Sequence, residues 1–241
     1  MTKYSLYLES GPKHKKTMVH VLDLLGCIAQ GPTTEAALES TPEAIRTYLR
    51  FLQAHGETVR PEGVISTVVA VHVKEGTWLG NGDPTPGFAP DFKTLSTQDK
   101  VVNLQRLAWM QIDLLELIRD VTQEQMLVEP KGGGRSIYGI LEHMAESHTV
   151  YLRYLVSNVN GLSQALKAVQ EEGPDSLPLT LSGLWDITSS RLAALTDAER
   201  KVLVSHGQVT WSARRAMRRM LEHGWEHLME ISTRLNMPLY L

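Results

Sequence analysis

The sequence predicts a chain in two parts, an α+β N-terminal domain of β-β-α-β order followed by an all-α four-helix bundle. Three observations lead there. The β-branched run Val64-Ile-Ser-Thr-Val-Val-Ala-Val-His-Val73 and two shorter runs before it read as strands, with one helical pattern between. From Gly80 to Pro90 the chain is punctuated by glycine and proline without any periodicity. From Ser96 onward, apolar repeats of helical period follow one another with no strand signal.

Taken in order, Tyr4–Leu8 and Thr17–Leu22 are short strands, and the polar turn Ser10–Lys16 joins them as a hairpin. A helix starts at Pro32-Thr33-Thr34, with Thr33 or Thr34 as its cap and Glu35 in its first turn. Leu38, Ile45, Leu49 and Leu52 give that helix an apolar stripe, Pro42 is expected to kink or split it, and Gly56 ends it. The strand from Val64 to Val73 completes a domain over residues 1–76, and residues 77–95 form a linker.

The bundle is placed over residues 96–241. Its first helix begins at Ser96-Thr-Gln-Asp99, is carried by Val102, Leu107, Met110, Leu114, Leu117 and Ile118, and stops near Asp120. The second runs from Ser136 to about Ser157 and the third from about Thr180 to Leu195. A shorter element at Asp197–Val204 precedes the last helix, Thr210 to Leu235. A longer crossover joins the second and third helices, and no internal repeat is visible.

Composition bounds the function. The 241 residues are 42% hydrophobic and 21% charged with a formal net charge of −3, which removes any global electrostatic case for binding nucleic acid or an anionic membrane. The single cysteine, Cys27, excludes an internal disulfide framework, and no apolar run reaches the roughly 18 residues a membrane span requires. The N-terminus lacks the apolar core of a signal peptide, so the expected location is the cytoplasm.

The chemistry concentrates near the end, in Leu221-Glu-His-Gly-Trp-Glu-His-Leu228. His223 and His227 lie four residues apart, about 40° around a helix axis, a spacing that suits one shared metal ion. It equally suits a solvated face or a satisfied core pair. A third ligand would come from Leu141-Glu-His-Met-Ala-Glu-Ser-His148, which offers two histidines. On a helical wheel His143 groups with Ile140, Ser147, Val150 and Tyr154 toward the interior while His148 falls about 140° away, so His143 is preferred. Three imidazoles would bind a divalent transition metal and leave a position open for Lewis-acid chemistry.

Gly224 and Trp225 follow His223, so the HExxH arrangement with its built-in general base is absent. Glu230, about 20° from His223 across two turns, either orients a ligand or pairs with Arg219 or Arg234. Arg214, Arg215, Arg218 and Arg219 form a basic strip on the last helix, expected to be a solvated or interdomain face or else an attractor for a carboxylate-bearing thiol or substrate. Lys131-Gly-Gly-Gly-Arg-Ser136 is a flexible loop or an anion-holding helix start, without the spacing of a phosphate loop.

The segments Arg135–His148 with Tyr151-Leu-Arg-Tyr-Leu155, and Thr210–Leu228, resemble the DinB-like (YfiT-like) metalloprotein superfamily over roughly residues 96–241. That resemblance implies a DinB-like bundle binding Zn or Ni through one histidine on the second helix and a HxxxH pair on the last. Position by position these are His143, His223 and His227. It further implies a thiol-dependent S-transferase or isomerase that uses low-molecular-weight thiols such as bacillithiol or mycothiol. No residue is singled out as catalytic, and a homodimer is expected.

Leu25-Gly-Cys-Ile-Ala-Gln-Gly-Pro-Thr-Thr-Glu-Ala-Ala-Leu38 is similar to the HicB antitoxin fold over about residues 1–75, through its Gly-Cys…Gly-x-Thr-x-Glu-x-Ala pattern. It implies a domain for docking, oligomerisation or covering the site. The competing functional expectation is a non-enzymatic binding protein with a partner-docking N-terminal domain and a structural or vestigial metal. Cys27 is a nucleophile in principle, or a small buried hydrophobe beside a tight turn.

Overall fold

A computed structural model describes residues 2–76, 78–82 and 86–240. They fall into two compact units, Met1–Phe92 with Pro238–Leu241, and Lys93–Met237. Positions 77 and 83–85 of the expected linker lie outside the described residues.

The first unit contains β1 (Thr2–Ser10), β2 (Thr17–Val21), β3 (Ile28–Gly31), α1 (Thr34–Ala54) and β4 (Ile65–Val73), in a sheet of order β3-β2-β1-β4. β1 and β2 are the expected antiparallel hairpin, with Leu6 opposite Val21 and Leu8 opposite Val19, all four buried. The order is β-β-β-α-β rather than β-β-α-β, because β3 adds a strand. Its four residues are too short for an alternation to register in sequence, and they become a strand by pairing with β2, Met18 opposite Gln30 and His20 opposite Ile28. β4 runs parallel to β1 at the sheet edge.

The glycine and threonine pattern around Cys27 has a packing explanation. Gly26 takes φ +101°, and a Cβ there would sit 2.3 Å from the Tyr48 hydroxyl, which donates to the Leu25 carbonyl at 2.7 Å. A Cβ on Gly31 would lie 2.4 Å from the backbone nitrogen of Ala37, so β3 and α1 touch backbone to backbone. Thr33 caps α1 by accepting from Ala36 N–H at 3.1 Å. Cys27 is fully buried beside this turn, as a small core hydrophobe.

Two expectations for this unit are corrected. α1 is not split at Pro42; the hydroxyls of Ser40 and Thr41 both donate to the Ala37 carbonyl, at 3.0 and 2.7 Å, one turn before the proline. The segment before residue 93 is not a free linker. Phe88 is buried, its ring 5.2 Å from Tyr7 and 5.4 Å from His20, and Asp91 accepts the Phe88 N–H. The other end of the chain also joins this unit, with Tyr240 5.5 Å from Phe51.

The second unit holds α2 (Thr97–Ile118), α3 (Gln123–Leu127), α4 (Ile137–Arg153), α5 (Leu162–Glu171), α6 (Leu177–Ala193), β5 (Val204–His206), β6 (Val209–Trp211) and α7 (Ala213–Arg234). Ser96, Ser136 and Ser212 cap α2, α4 and α7 with their hydroxyls, which fixes where those helices begin. The long helices α2, α4, α6 and α7 make the bundle, α7 packing on both α2 and α4. The expected crossover contains α5. At Asp197–Val204, where a shorter element was expected, residues 197–201 make turns, and the hairpin β5-β6 follows over 204–211 in the start of the expected last helix, turning at Gly207 with φ +61°. Trp211 at its end is buried and stacks on Tyr151, with centroids 5.5 Å apart.

α7 is buried around most of its circumference, including Arg215, Arg218 and Arg219, so the basic strip is not a solvated face. Buried guanidinium groups need partners. Glu222 accepts from Arg218 at 2.8 Å, Arg215 lies over the Trp211 ring at 4.9 Å, and Arg214 pairs with Asp99 at 2.9 Å. Among the described residues no helix is long and apolar enough to cross a membrane.

The backbone contact at Gly31 generates a prediction. Gly31→Ala has no flexible neighbour to displace, so it should destabilise the N-terminal unit by about 2 kcal/mol or more. Urea unfolding followed by the circular dichroism of the full chain checks this, and an unchanged midpoint would contradict the packing described.

Candidate metal centre

α4 and α7 bring three histidines to one point. His223 Nε2 lies 3.1 Å from His143 Nε2 and 3.1 Å from His227 Nε2. The rings stand nearly perpendicular to one another, at 76°, 82° and 81°. Among the described residues these three form a group whose ligand atoms all lie within 4.8 Å of each other.

Protons alone serve this arrangement badly. A neutral Nε2 carries either one proton or one lone pair, so the central His223 nitrogen makes one well-directed hydrogen bond and not two. A divalent cation uses all three lone pairs at once. Imidazole ligands about 2.0–2.1 Å from a tetrahedral ion are separated by about 3.3 Å, close to the spacing seen. The donor set, three neutral nitrogens, suits Zn²⁺ or Ni²⁺ rather than Mg²⁺ or Ca²⁺.

Burial, helped by neighbouring positive charge, disfavours the protonated form of His143 and His223. Burial, then the nearby Arg135 guanidinium and His227, lowers the pKa of His143 from 6.5 to about 4. Burial followed by the neighbouring histidines holds His223 well below the usual range. His227 donates from Nδ1 to Glu230 Oε2 at 2.8 Å, which leaves its Nε2 lone pair facing the cluster. That hydrogen bond, with Arg234 adding to it, lowers the pKa of Glu230, so the acceptor stays a carboxylate. Glu230 therefore meets His227 and Arg234, and the expected alternatives of ligand orientation and an Arg234 pair occur together.

α4 is rotated from the wheel reading. Its buried face is Ile140, Leu141, Met144, Ala145, His148 and Leu152, whereas Val150 is exposed and His143 is half-buried at the border. His148, expected to point away, is 2% exposed, with its ring 5.8 Å from that of His223. The i, i+3, i+4, i+7 spacing of Leu141, Met144, Ala145 and His148 carries a stronger apolar signal than the stripe through His143, and it sets the buried face. Beside the cluster, a recess of about 410 Å³ is lined by Gln125, Val128, Pro130, Ile137, Arg234 and Leu235, and shares Arg234 with the Glu230 pair.

A four-helix bundle with this histidine pattern points to a bundle metalloprotein class, and the sequence comparison makes the assignment specific. The DinB superfamily profile matches residues 106–231, more than half of the chain, and the protein belongs to that superfamily. A solved structure, described as YfiT from Bacillus subtilis, a probable metal-dependent hydrolase with an unusual four-helix bundle topology, is similar at 20% identity with a TM-score of 0.47. The match covers 61% of this chain and 93% of that one. The search of curated proteins returned no match.

Two outcomes are expected at this site. Unfolded histidines take up protons near pH 6.5, while His143 and His148 do so only near pH 4 in the folded protein. The stability of the metal-free protein is therefore full above pH 6.5 and lost as pH falls from 6.5 toward 4. Melting temperatures across that window check this, with a shallower slope expected for His148→Phe. Separately, Glu230→Gln should weaken metal binding about 10–100-fold, read by competition with a chromogenic chelator.

Proposed function

We propose that this chain is a metal-dependent enzyme of the DinB superfamily that transfers a low-molecular-weight thiol to a small electrophile, with Zn or Ni held by His143, His223 and His227. The observation that carries the reading is the convergence of three Nε2 atoms at 3.1 Å contacts, which a cation satisfies and protons do not. A metal in that position makes a coordinated thiol react as its thiolate.

The protein's own groups supply the rest. Three neutral ligands leave the ion's charge uncompensated, which favours an anionic thiolate over a neutral fourth ligand. Glu230 fixes the His227 tautomer. Arg135, exposed beside His143, supports attraction of a carboxylate-bearing thiol or substrate, a role the buried Arg215, Arg218 and Arg219 are poorly placed to fill. Three carboxylates in this part of the bundle are engaged: Glu230 with His227 and Arg234, Glu222 with Arg218, and Glu142, beside His143, with Tyr138. Engagement of the nearby carboxylates favours a nucleophile activated by coordination over water activated by a general base. The reducing cytoplasm, where such thiols persist, is the location that goes with this reading.

The N-terminal unit is part of the proposal as a HicB-like docking, oligomerisation or site-covering domain, and the homodimer stays with it. The exposed Val68, Val69 and Val71 on edge strand β4 support a paired state.

The test uses protein purified without an affinity tag, loaded with Zn²⁺ or Ni²⁺, and assayed with a panel of low-molecular-weight thiols and small electrophiles. Thiol-dependent loss of the electrophile is expected, abolished by chelation and reduced at least 100-fold in His143→Ala and His227→Ala. Turnover without thiol would replace the reading with hydrolysis. No turnover, together with co-purification of a protein partner, would favour a binding protein with a structural metal.

A further inference from the structure

The bundle contains a second polar feature, distinct from the three converging nitrogens. One residue from His223, Gly224 lines a small cavity whose space for the centre of a water-sized sphere is about 10 Å³, the room one water requires. All four long helices contribute to it: Gln111 and Met110 from α2, Met144 and His148 from α4, Trp185 from α6 and Gly224 from α7. Three of these residues carry buried polar atoms with no hydrogen-bond partner in the protein, namely Gln111 Nε2, both ring nitrogens of His148, and Trp185 Nε1. His148 and Trp185 are 2% and 3% exposed. The Met220 backbone carbonyl lies on one side of the His148 ring and favours a proton on the nitrogen facing it, which leaves the other ring nitrogen as an acceptor.

Buried polar atoms in folded proteins are paired with protein or with ordered water, and orphaned ones are rare. Here they occur together around one cavity, and their chemistry selects the guest. Trp185 Nε1 only donates and the Gln111 amide nitrogen only donates, while a neutral His148 offers one donor and one acceptor. The complement is a neutral molecule with two acceptor sites and at least one proton, small enough for one water's volume.

We infer that this cavity is a structural water site, in which one water accepts from Trp185 Nε1–H and Gln111 Nε2–H and donates to an unprotonated ring nitrogen of His148. That water joins α2, α4 and α6 at the level of Gly224, where α7 comes close enough that an added Cβ would lie 3.5 Å from Met110 Sδ. It thereby helps hold α4, which carries one of the candidate ligands, against α2 and α6. The inference stands on the orphaned atoms and the cavity, and holds whether or not the histidine cluster binds a metal.

A high-resolution crystal structure of the full chain, grown from bromide-containing solution, is the direct test. The expected result is one peak without anomalous signal, about 2.7–3.2 Å from Trp185 Nε1, Gln111 Nε2 and a His148 nitrogen. A bromide peak would make this an anion site, and clear side chains around no peak would make it dry; either result overturns the inference. In solution, Gln111→Met keeps the side-chain volume while deleting one orphaned donor. With the water present its melting temperature falls by about 2–4 °C, and the loss in Gln111→Met combined with Trp185→Phe is smaller than the sum of the single losses. An unchanged or raised melting temperature for Gln111→Met, or strictly additive losses, would contradict the water.

Discussion

Three imidazole nitrogens on two helices, with His223 Nε2 3.1 Å from each of the other two, cannot all be satisfied by protons, and much of the second unit bears on that constraint. α7 presents His223 and His227 one turn apart, and it keeps its place in the bundle although much of its surface is polar. Its buried arginines are met by Glu222 and by the aromatic faces of Trp211 and Tyr151. α4 meets it with His143 at the border of its buried face, so that one imidazole reaches the cluster while the helix keeps an apolar core side. Ser136 and Ser212 fix the starts of these two helices. A ligand geometry built on two capped helices is held by packing rather than by loops, the condition under which a first coordination shell stays preorganised.

Much of this was legible in the sequence. The long helices declare themselves through apolar residues at helical period, and the HxxxH pair is a local pattern that needs only the pitch of a helix to be read. His143 is legible less directly. A helical wheel groups it with Val150, whereas Val150 is exposed and His148 is the inward histidine. His143 still joins the cluster because a side chain at the border of the buried face reaches it as well as one at its centre. The short elements were hidden for a different reason. β3 exists only because β2 pairs with it, and β5-β6 because Gly207 turns the chain and Trp211 is buried; neither is carried by its own periodicity.

In the N-terminal unit the glycine and threonine pattern is accounted for by local structure. Gly26, Cys27, Gly31, Thr33 and Ala37 are respectively a left-handed turn under Tyr48, a buried small side chain, a backbone contact, a helix cap and the surface that contact meets. Each position is explained by packing or by a hydrogen bond. The same physics made residues 86–92 look like a linker, since Pro86, Gly87 and Pro90 break periodicity while Phe88 and Asp91 nonetheless pack into the unit. Composition reports where the chain cannot be regular, not where it is unpacked.

The central claim is that the imidazole cluster holds a metal through nitrogen. X-ray absorption at the zinc or nickel edge, on protein purified without a tag, reads it most directly. The account predicts three imidazole nitrogens in the first shell at about 2.0–2.1 Å with an exchangeable fourth ligand, and loss of imidazole scattering in His143→Ala. A shell of oxygen or sulfur without imidazole, or a spectrum unchanged by that substitution, would contradict it.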